Sequence, residues 1–269
     1  MSANKRVVLV TGASSGIGRA IAVHLAAKGH RVFGTSRKAV DMPGVEMIAM
    51  DIDDEASVTA GVARVLNAAG RLDVVVNNAG VALMGAVEDT RIDEAKALFE
   101  TNFFGVLRVC RAALPAMRQQ RSGTIVNISS LSGVFGTPFS GLYSASKFAL
   151  EGMSEALRLE VRRFGVRVVL VEPGDHDSEL PQRRTTAAEA TSNVAYAEAF
   201  ARSRAAQAKD EAKAPKPDKV ARLVERLLDT RDPKMRYTVG LRGQRIVAPL
   251  KRFLPSRLYE RILRGTLGM

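Results

Sequence analysis

The sequence predicts an α/β protein in which a doubly wound parallel sheet carries helices on both faces. Strand and helix patterns alternate without a break through the first 175 residues. The strands are continuous apolar runs rather than alternating ones, as expected for strands buried on both faces. A chain of 269 residues with 46% hydrophobic content is long enough for one large core. We therefore expect a single Rossmann-type domain with a basic C-terminal extension.

Each predicted element rests on local composition. Short apolar runs predict strands at 6–10, 31–35, 45–50, 72–76, 124–128, 166–171 and 235–239. Helical apolar spacing predicts helices at 19–28, 54–69, 92–120, 142–164, 194–208 and 217–228. Gly29 and Gly70 end the first two helices, Asp53 or Asp54 caps the second, and Pro217 lies near the first turn of the last.

The domain boundaries follow from where this pattern loosens. Residues 1–233 are expected to form the dinucleotide-binding and catalytic domain, with a polar, weakly structured stretch at 178–193 inside a substrate loop of about 178–208. Residues 234–269 are expected to hold the last strand and a basic amphipathic segment.

The charge is unevenly distributed. Lysine and arginine number 40 against 28 acids, a formal net charge of +12. From Lys234 onward there are nine bases and a single acid, Glu260. This excess predicts peripheral contact with a membrane surface, and the alternative is that the segment docks on the body of the protein or on a dimer partner. Nucleic-acid binding is not expected, since the tail lacks a reading motif.

Cysteine content and hydropathy indicate the compartment. Cys110 is the only cysteine, so no intrachain disulfide can form. The apolar run after Lys5 and Arg6 is too short for a signal peptide, and no run of about 18 apolar residues predicts a membrane span. We expect a cytoplasmic protein.

A glycine-rich loop follows the first predicted strand. Gly12, Gly16 and Gly18 form the pattern G-x-x-x-G-x-G before a helix. Glycine allows a sharp turn and a close approach of backbone to ligand, and the helix directs its N–H groups at the loop. The position after the first strand of a βαβ series favours a pyrophosphate site over an empty tight turn.

Tyr143 and Lys147 are spaced four residues apart on a predicted helix. This spacing places a phenol and an ammonium on one helix face. A cation beside the phenol would lower the tyrosine pKa toward the neutral range, as general acid/base chemistry requires. Taken alone, the pair is better explained as two surface residues that happen to stand four apart.

The motifs together resemble the short-chain dehydrogenase/reductase family. They appear in the family order: residues 11–18, the Asn77-Asn-Ala-Gly80 segment, Asn102, Ser130, Tyr143 with Lys147, and Pro173-Gly174. The resemblance covers about the first 180 residues. The stretch after the second strand and the basic tail are most similar to the 17β-hydroxysteroid and retinol dehydrogenase branch.

The resemblance implies specific roles. Tyr143 would be the general acid/base, Ser130 would polarise the substrate oxygen, Lys147 would hold the nicotinamide ribose and Asn102 would hold a proton-relay water. The remaining cofactor contacts would come from Gly12, Ser14, Ser15, Gly16, Ile17, Gly18, Asp51, Ile52, Asn78, Ala79, Gly80, Pro173, Gly174, His176 and Ser178.

The end of the second strand indicates the cofactor. An acid there selects NAD, whereas a base accommodates the 2′-phosphate of NADP. Here Ser36 and Arg37 occupy the position, and the first acid is Asp41. We therefore predict NADP (NADPH); the alternative is a solvated Arg37 and dual specificity.

After Pro173-Gly174 the chain departs from the family pattern. His176 stands where an apolar residue is usual, and Ser178 stands where a threonine is usual. Asp175, His176 and Asp177 are not expected to bind metal, because three adjacent side chains cannot all face one ion.

These observations predict an NADP(H)-dependent oxidoreductase. Mostly apolar residues at 81–85 and 131–142 favour an apolar ketone, aldehyde or alcohol of the steroid, retinoid or long-chain type, although the same residues would also suit a core. The alternatives are a 3-oxoacyl-carrier-protein-type reductase and a non-catalytic NADP-binding regulatory protein. By resemblance, the helices before the fifth and sixth strands would form a homodimer or homotetramer.

Overall fold

The computed structural model describes residues 5–38, 40–176, 184–240 and 254–266. Its strands are β1 Val7–Val10, β2 Arg31–Ser36, β3 Val45–Ala49, β4 Val74–Asn77, β5 Leu83–Met84, β6 Gly123–Ile128, β7 Val166–Pro173, β8 Thr185–Thr186 and β9 Arg236–Val239. Within the described residues, seven of them form one parallel sheet in the order β3-β2-β1-β4-β6-β7-β9. The doubly wound prediction is confirmed.

The helices connect these strands. They are α1 Gly16–Ala27, α2 Glu55–Ala69, α3 Ile92–Phe99, α4 Val106–Gln120, α5 Gly141–Val161, α6 Val194–Glu211, α7 Asp218–Asp229 and α8 Ser256–Thr266. Asp54 is the N-cap of α2, since its carboxylate accepts from the N–H groups of Ala56 and Ser57, and Gly70 closes that helix in a left-handed conformation.

The core lies on both faces of the sheet because the strand residues alternate between them. Leu9, Val75 and Ile125 pack with α2, α4 and α5 on one face. Val8 and Val10, with their neighbours on β4 and β6, pack with α1 and α7 on the other. The parallel register aligns Leu9 with Phe33 and Val75. Both faces are covered, so the strands carry no polar alternation.

Two elements differ from the predictions. The helix expected over 92–120 contains a π-helical turn at Glu100–Gly105, between α3 and α4. In the stretch expected to be weakly structured, Thr185–Thr186 pairs in parallel with Leu83–Met84 as a small separate sheet. Pro217 is the N-cap of α7, next to its first turn as predicted.

Candidate active site

The glycine loop is held by a hydroxyl from the end of β1. Thr11 Oγ1 accepts hydrogen bonds from the backbone N–H groups of Asn78 and Ala79, both at 3.0 Å. The Asn78 amide donates back to the carbonyls of Thr11 at 3.0 Å and Gly12 at 3.2 Å. The predicted Asn78-Ala79-Gly80 segment therefore lies directly against the loop that follows β1.

The loop after β1 has no room for side chains at two of its glycines. A Cβ on Gly12, which has φ +63°, would lie 2.8 Å from Ala79 Cα. A Cβ on Gly18 would lie 2.4 Å from Gly12 O. Ser15 is the N-cap of α1, and its side chain makes no capping hydrogen bond. The backbone N–H groups of Gly16 and Ile17, in the first turn of α1, are therefore available to an anionic ligand. Ser14 lies beside them in the loop.

The residues predicted to hold the adenosine half of a dinucleotide cofactor lie at or just after the ends of β2 and β3. Arg37 follows β2 and is exposed, while the hydroxyl of Ser36 donates to Lys38 O. Asp51 is partly exposed and accepts from the Asp53 N–H at 3.1 Å. Ile52 is buried against Gly105, where an added Cβ would approach Ile52 Cδ1 to 2.7 Å.

Asn102 is buried behind Lys147 and is placed there by the π-helical turn. Its amide is bound to both backbone groups of Val81, with Oδ1 accepting from the N–H and Nδ2 donating to the carbonyl, each at 2.9 Å. Nδ2 also donates to Ser146 Oγ at 3.1 Å. A Cβ on Gly80 would lie 3.1 Å from Asn102 Oδ1 and 3.7 Å from Lys147 Nζ, so all three residues border one small space.

Lys147 is 5% exposed, and its ammonium donates to Ile128 O at 3.0 Å. Burial lowers the pKa of Lys147 to about 8, and the nearby Glu151 carboxylate opposes that shift. The ammonium lies 5.9 Å from the centroid of the Tyr143 ring. The predicted convergence of the two side chains is thus observed, without a direct contact to the phenol oxygen.

The Tyr143 pKa differs from the prediction. Burial raises the pKa of Tyr143, whereas the Ser130 hydroxyl and the Arg184 charge lower it. Lys147 was expected to supply the lowering charge, but its ammonium is directed to the carbonyl of Ile128. Ser130 is the N-cap of a short 3₁₀ turn, and its Oγ accepts from the Ser132 N–H at 3.1 Å.

The segment after β7 closes the site near β9. Pro173 is buried at the end of β7, and the Gly174 N–H donates to Val239 O at 2.7 Å. His176 is 6% exposed, and its Nδ1 lies 2.9 Å from Gly174 O. Burial lowers the pKa of His176, so the ring is neutral at pH 7. Ser178 lies outside the described residues.

An apolar cluster forms the wall beside Tyr143. Tyr143 and Leu142 pack against the buried side chains of Leu83, Met84, Ala86, Leu98, Phe139, Ala187, Ala190 and Phe200. Arg184 borders this wall as half of an ion pair, since its guanidinium lies 3.5 Å from Met84 Sδ and 2.6 Å from Glu211 Oε1. The residues predicted at 81–85 and 131–142 thus contribute to one wall.

Neither a cluster of metal-binding side chains nor a membrane-spanning helix is found in the part of the chain that the structure describes. There, no group of three or more His, Cys, Asp or Glu residues is arranged to hold a metal ion. Among the same residues, no helix combines the length and apolar character that crossing a membrane requires.

Comparisons with known proteins identify the family. The family described as short chain dehydrogenase matches residues 6–189, and the chain belongs to this family of oxidoreductases. It is 41% identical over 260 residues to a 3-ketodihydrosphingosine reductase of Bacteroides thetaiotaomicron, covering 96% of this chain and 97% of the relative. It is 40% identical over 189 residues to human retinol dehydrogenase 8, covering 65% and 60% of the two chains.

Solved structures agree with this assignment. A short-chain dehydrogenase from Streptomyces avermitilis superimposes with a TM-score of 0.83 at 37% identity, covering 98% of this chain and 99% of the other. A metagenomic short-chain oxidoreductase in complex with NADP gives 0.69 at 30% identity, with coverage of 89% and 98%. A Burkholderia phymatum family member in complex with NAD gives 0.63 at 28% identity, with coverage of 68% and 70%. A nicotinamide cofactor is therefore supported.

Sequence reasoning did not select Thr11, Arg184 or Glu151 as site residues. Thr11 carried a signal, because a hydroxyl that ends a buried strand beside a glycine loop is suited to bind neighbouring backbone groups. Glu151 carried one too, because it lies four residues after Lys147 on the same predicted helix. Arg184 carried none, since it reaches the site through contacts between distant parts of the chain.

Proposed function

We propose that the protein is an NADP(H)-dependent oxidoreductase that interconverts an apolar long-chain ketone and the corresponding secondary alcohol. The observation that carries the proposal is the position of Tyr143, which lies between the apolar wall and the buried Lys147 and Asn102. A proton donor at that boundary can meet a carbonyl oxygen whose hydrocarbon chain lies along the wall.

Four polar residues of the site have different roles in moving a proton to or from the substrate oxygen. Tyr143 supplies the proton to the carbonyl oxygen during reduction and removes it during oxidation. Ser130 donates a hydrogen bond to the same oxygen and polarises it. Lys147 does not touch the phenol oxygen, but its charge, 5.9 Å from the centroid of the Tyr143 ring, stabilises the phenolate that forms during turnover. Asn102 fixes the backbone of Val81 and orders a relay water next to the ammonium. The bound nicotinamide supplies or accepts the hydride.

The cofactor preference rests on the end of β2. Arg37 is exposed there beside Ser36, and a guanidinium can bind a phosphate bidentately. Gly12 and Gly18 receive the pyrophosphate, and Asp51 with Ile52 borders the adenine. The NADP complex of a structural relative at 30% identity supports this preference.

The substrate class rests on the wall and on one relative. The wall is built from leucine, methionine, phenylalanine and alanine side chains, which suits a hydrocarbon chain. The relative at 41% identity is named as a reductase of a 3-keto compound, and it aligns over 96% of this chain. A ketone substrate with an extended apolar chain satisfies both observations.

A homodimer is proposed on α4 and α5. Phe104 and Phe148 are 43% and 40% exposed, although aromatic side chains of this size favour burial. Phe148 lies on α5, and Phe104 lies in the π-helical turn that leads into α4; the family resemblance assigns these helical segments to subunit contact.

The experiment that tests this function uses a panel of long-chain ketones, steroid ketones and retinal, with NADPH absorbance as the readout. We expect turnover of a long-chain ketone and loss of at least about 10²-fold in Tyr143→Phe, because a positioned acid contributes 10²–10⁴-fold. NADPH binding, measured by fluorescence, should be nearly unchanged in the variant. Retention of more than a few per cent of turnover would contradict the role of Tyr143.

A further inference from the structure

Two buried carboxylates share one arginine behind the proposed catalytic residues. Glu151 of α5 is 6% exposed and Glu172 of β7 is 3% exposed. Arg236 of β9 places its Nε 2.8 Å from Glu151 Oε2 and 3.4 Å from Glu172 Oε1. Its Nη2 also pairs with the exposed Glu155, and Thr238 Oγ1 donates to Glu172 Oε2 at 2.9 Å.

The cluster of Glu151, Glu172 and Arg236 adjoins three segments of the proposed active site. Glu151 lies one helical turn after Lys147 on α5, so the two side chains share a face. Glu172 immediately precedes Pro173 in the segment proposed to bind the nicotinamide. The Ser129 hydroxyl, adjacent to Ser130, faces the Glu151 carboxyl and lowers its pKa.

Close packing fixes this arrangement. A Cβ on Gly133 would lie 2.7 Å from Ser129 Oγ, 3.2 Å from Glu151 Cγ and 3.2 Å from Lys147 Cβ. Glu151, Lys147 and Ser129 therefore pack around one glycine.

The electrostatics connect the cluster to Lys147. Burial raises the pKa values of Glu151 and Glu172, and the Arg236 charge acts against that rise for both. Glu151 in turn opposes the burial that lowers the Lys147 pKa. The charged groups that face Glu151 are Lys147 and Glu155 from α5, Glu172 from β7 and Arg236 from β9.

We propose that Glu151, fixed by Arg236 of the C-terminal strand, is a positioning residue whose carboxylate keeps the Lys147 ammonium charged through the neutral range. The inference rests on the proposed function, in which a charged Lys147 stabilises the Tyr143 phenolate. It adds Glu151 and Arg236 to the residues that act on the reaction through another group. It also makes the last strand of the sheet part of the active site.

Fold stability alone does not account for this cluster. A buried ion pair contributes little net stability, because desolvation of the charges offsets their attraction. Apolar residues of the same volume would fill this space as well. The Glu151 carboxylate, however, acts on the Lys147 ammonium one turn away.

The test is a titration of Lys147 in the cofactor-free protein by NMR, with ¹³Cε-labelled lysine and assignment by Lys147→Met. We expect the wild-type midpoint near the pKa of about 8 and a downward shift of about one pH unit in Glu151→Gln, since removing an opposite charge lowers a lysine pKa. Arg236→Gln should shift the midpoint in the same direction, because without the arginine charge the buried Glu151 carboxylate takes up a proton more readily and ceases to support the ammonium. Arg236→Lys should restore the midpoint.

Steady-state kinetics give the second readout. Reduction needs charged Lys147, so its rate should fall as the pH rises through the Lys147 pKa. That alkaline limb should move to lower pH in Glu151→Gln by the same interval. Glu155→Gln is the matched control, because it removes an exposed partner of the same arginine from the same helix and should leave both midpoints in place.

The outcomes separate the two proposals. If wild-type protein reduces none of the ketones, the proposed function fails, whatever the titration shows. If the wild type is active and Glu151→Gln leaves both midpoints unchanged, the present inference is wrong while the function stands. An equal shift in Glu155→Gln would also overturn it, because a general surface-charge effect would then explain the result. Circular dichroism of each variant verifies that the fold is retained.

Discussion

Arg37 is the residue on which the choice between the two nicotinamide cofactors depends most directly. It is exposed at the carboxyl end of β2, where a Rossmann fold meets the adenosine ribose. A guanidinium there favours a 2′-phosphate, while a carboxylate would repel it and bind the ribose hydroxyls. Because the Arg37 side chain is exposed at this position, its guanidinium can reach a 2′-phosphate.

Arg37→Asp is therefore expected to reverse the cofactor preference. The ratio of kcat/KM for NADPH to that for NADH should fall by about 10-fold to 100-fold, since a hydrogen bond to a charged group contributes about 1.5–3 kcal/mol. Steady-state kinetics with each cofactor measure the ratio. Lys38→Ala removes a neighbouring cation as a control and should change the ratio much less. An unchanged ratio in Arg37→Asp would refute the NADP prediction.

At the scale of elements, the role of the β1–α1 loop can be tested by comparing two glycines that both have positive φ values. Gly12 and Gly70 have φ values of +63° and +71°. An added Cβ on Gly12 would collide with the backbone of Ala79, whereas one on Gly70 meets nothing within 4 Å. The two sites therefore separate backbone strain from steric overlap.

Gly70→Ala should lower the free energy of unfolding by about 1 kcal/mol and leave cofactor affinity unchanged, because a side chain at positive φ is strained. Gly12→Ala should cost about 2–3 kcal/mol and weaken NADPH binding at least about 10-fold, because it adds displacement of Ala79 to that strain. Urea unfolding and fluorescence titration measure the two effects. Equal cofactor affinity in both variants would argue against Gly12 as part of the pyrophosphate loop.

The sequence predicted most elements because their causes are local. The runs around Val8, Val75 and Val169 are apolar on both sides of the strand, and Gly70 ends α2 in the conformation that glycine allows. The π-helical turn that holds Asn102 escaped prediction, since a change from i→i−4 to i→i−5 bonding leaves the apolar pattern almost unaltered. The two-residue strand at Thr185 is too short for any periodicity.

At the scale of the whole molecule, the sheet topology brings the site together. All strands of the main sheet are parallel, so the ends of β1, β2, β4, β6 and β7 meet at one edge. That rule made the location of Gly12, Ser130 and Pro173 predictable. The pairing of Glu151 with Arg236 was not, because β9 lies beside β7 only after the chain has passed through α6 and α7.

At the scale of the whole protein, the C-terminal helix α8 combines exposed basic residues with an exposed apolar stripe. Arg257, Arg261 and Arg264 follow one another at helical spacing and are exposed. Leu258 and Ile262 form the adjacent stripe and are 43% and 37% exposed. An exposed apolar stripe beside a row of cations matches a helix that lies in a lipid headgroup layer. An apolar substrate would reach the enzyme from such a layer.

We expect the protein to co-sediment with vesicles of anionic phosphatidylglycerol and to bind vesicles of neutral phosphatidylcholine more weakly, since each cation near an anionic surface contributes about 1 kcal/mol. Binding should decrease at about 0.5 M salt. Leu258→Gln combined with Ile262→Gln should reduce it further, as should a chain shortened to end at Gly240. That endpoint retains β9 and therefore Arg236, so ketone reduction in detergent should persist. If the shortened and full-length chains pellet alike, α8 does not bind the membrane, and its stripe of leucine and isoleucine belongs to a protein contact.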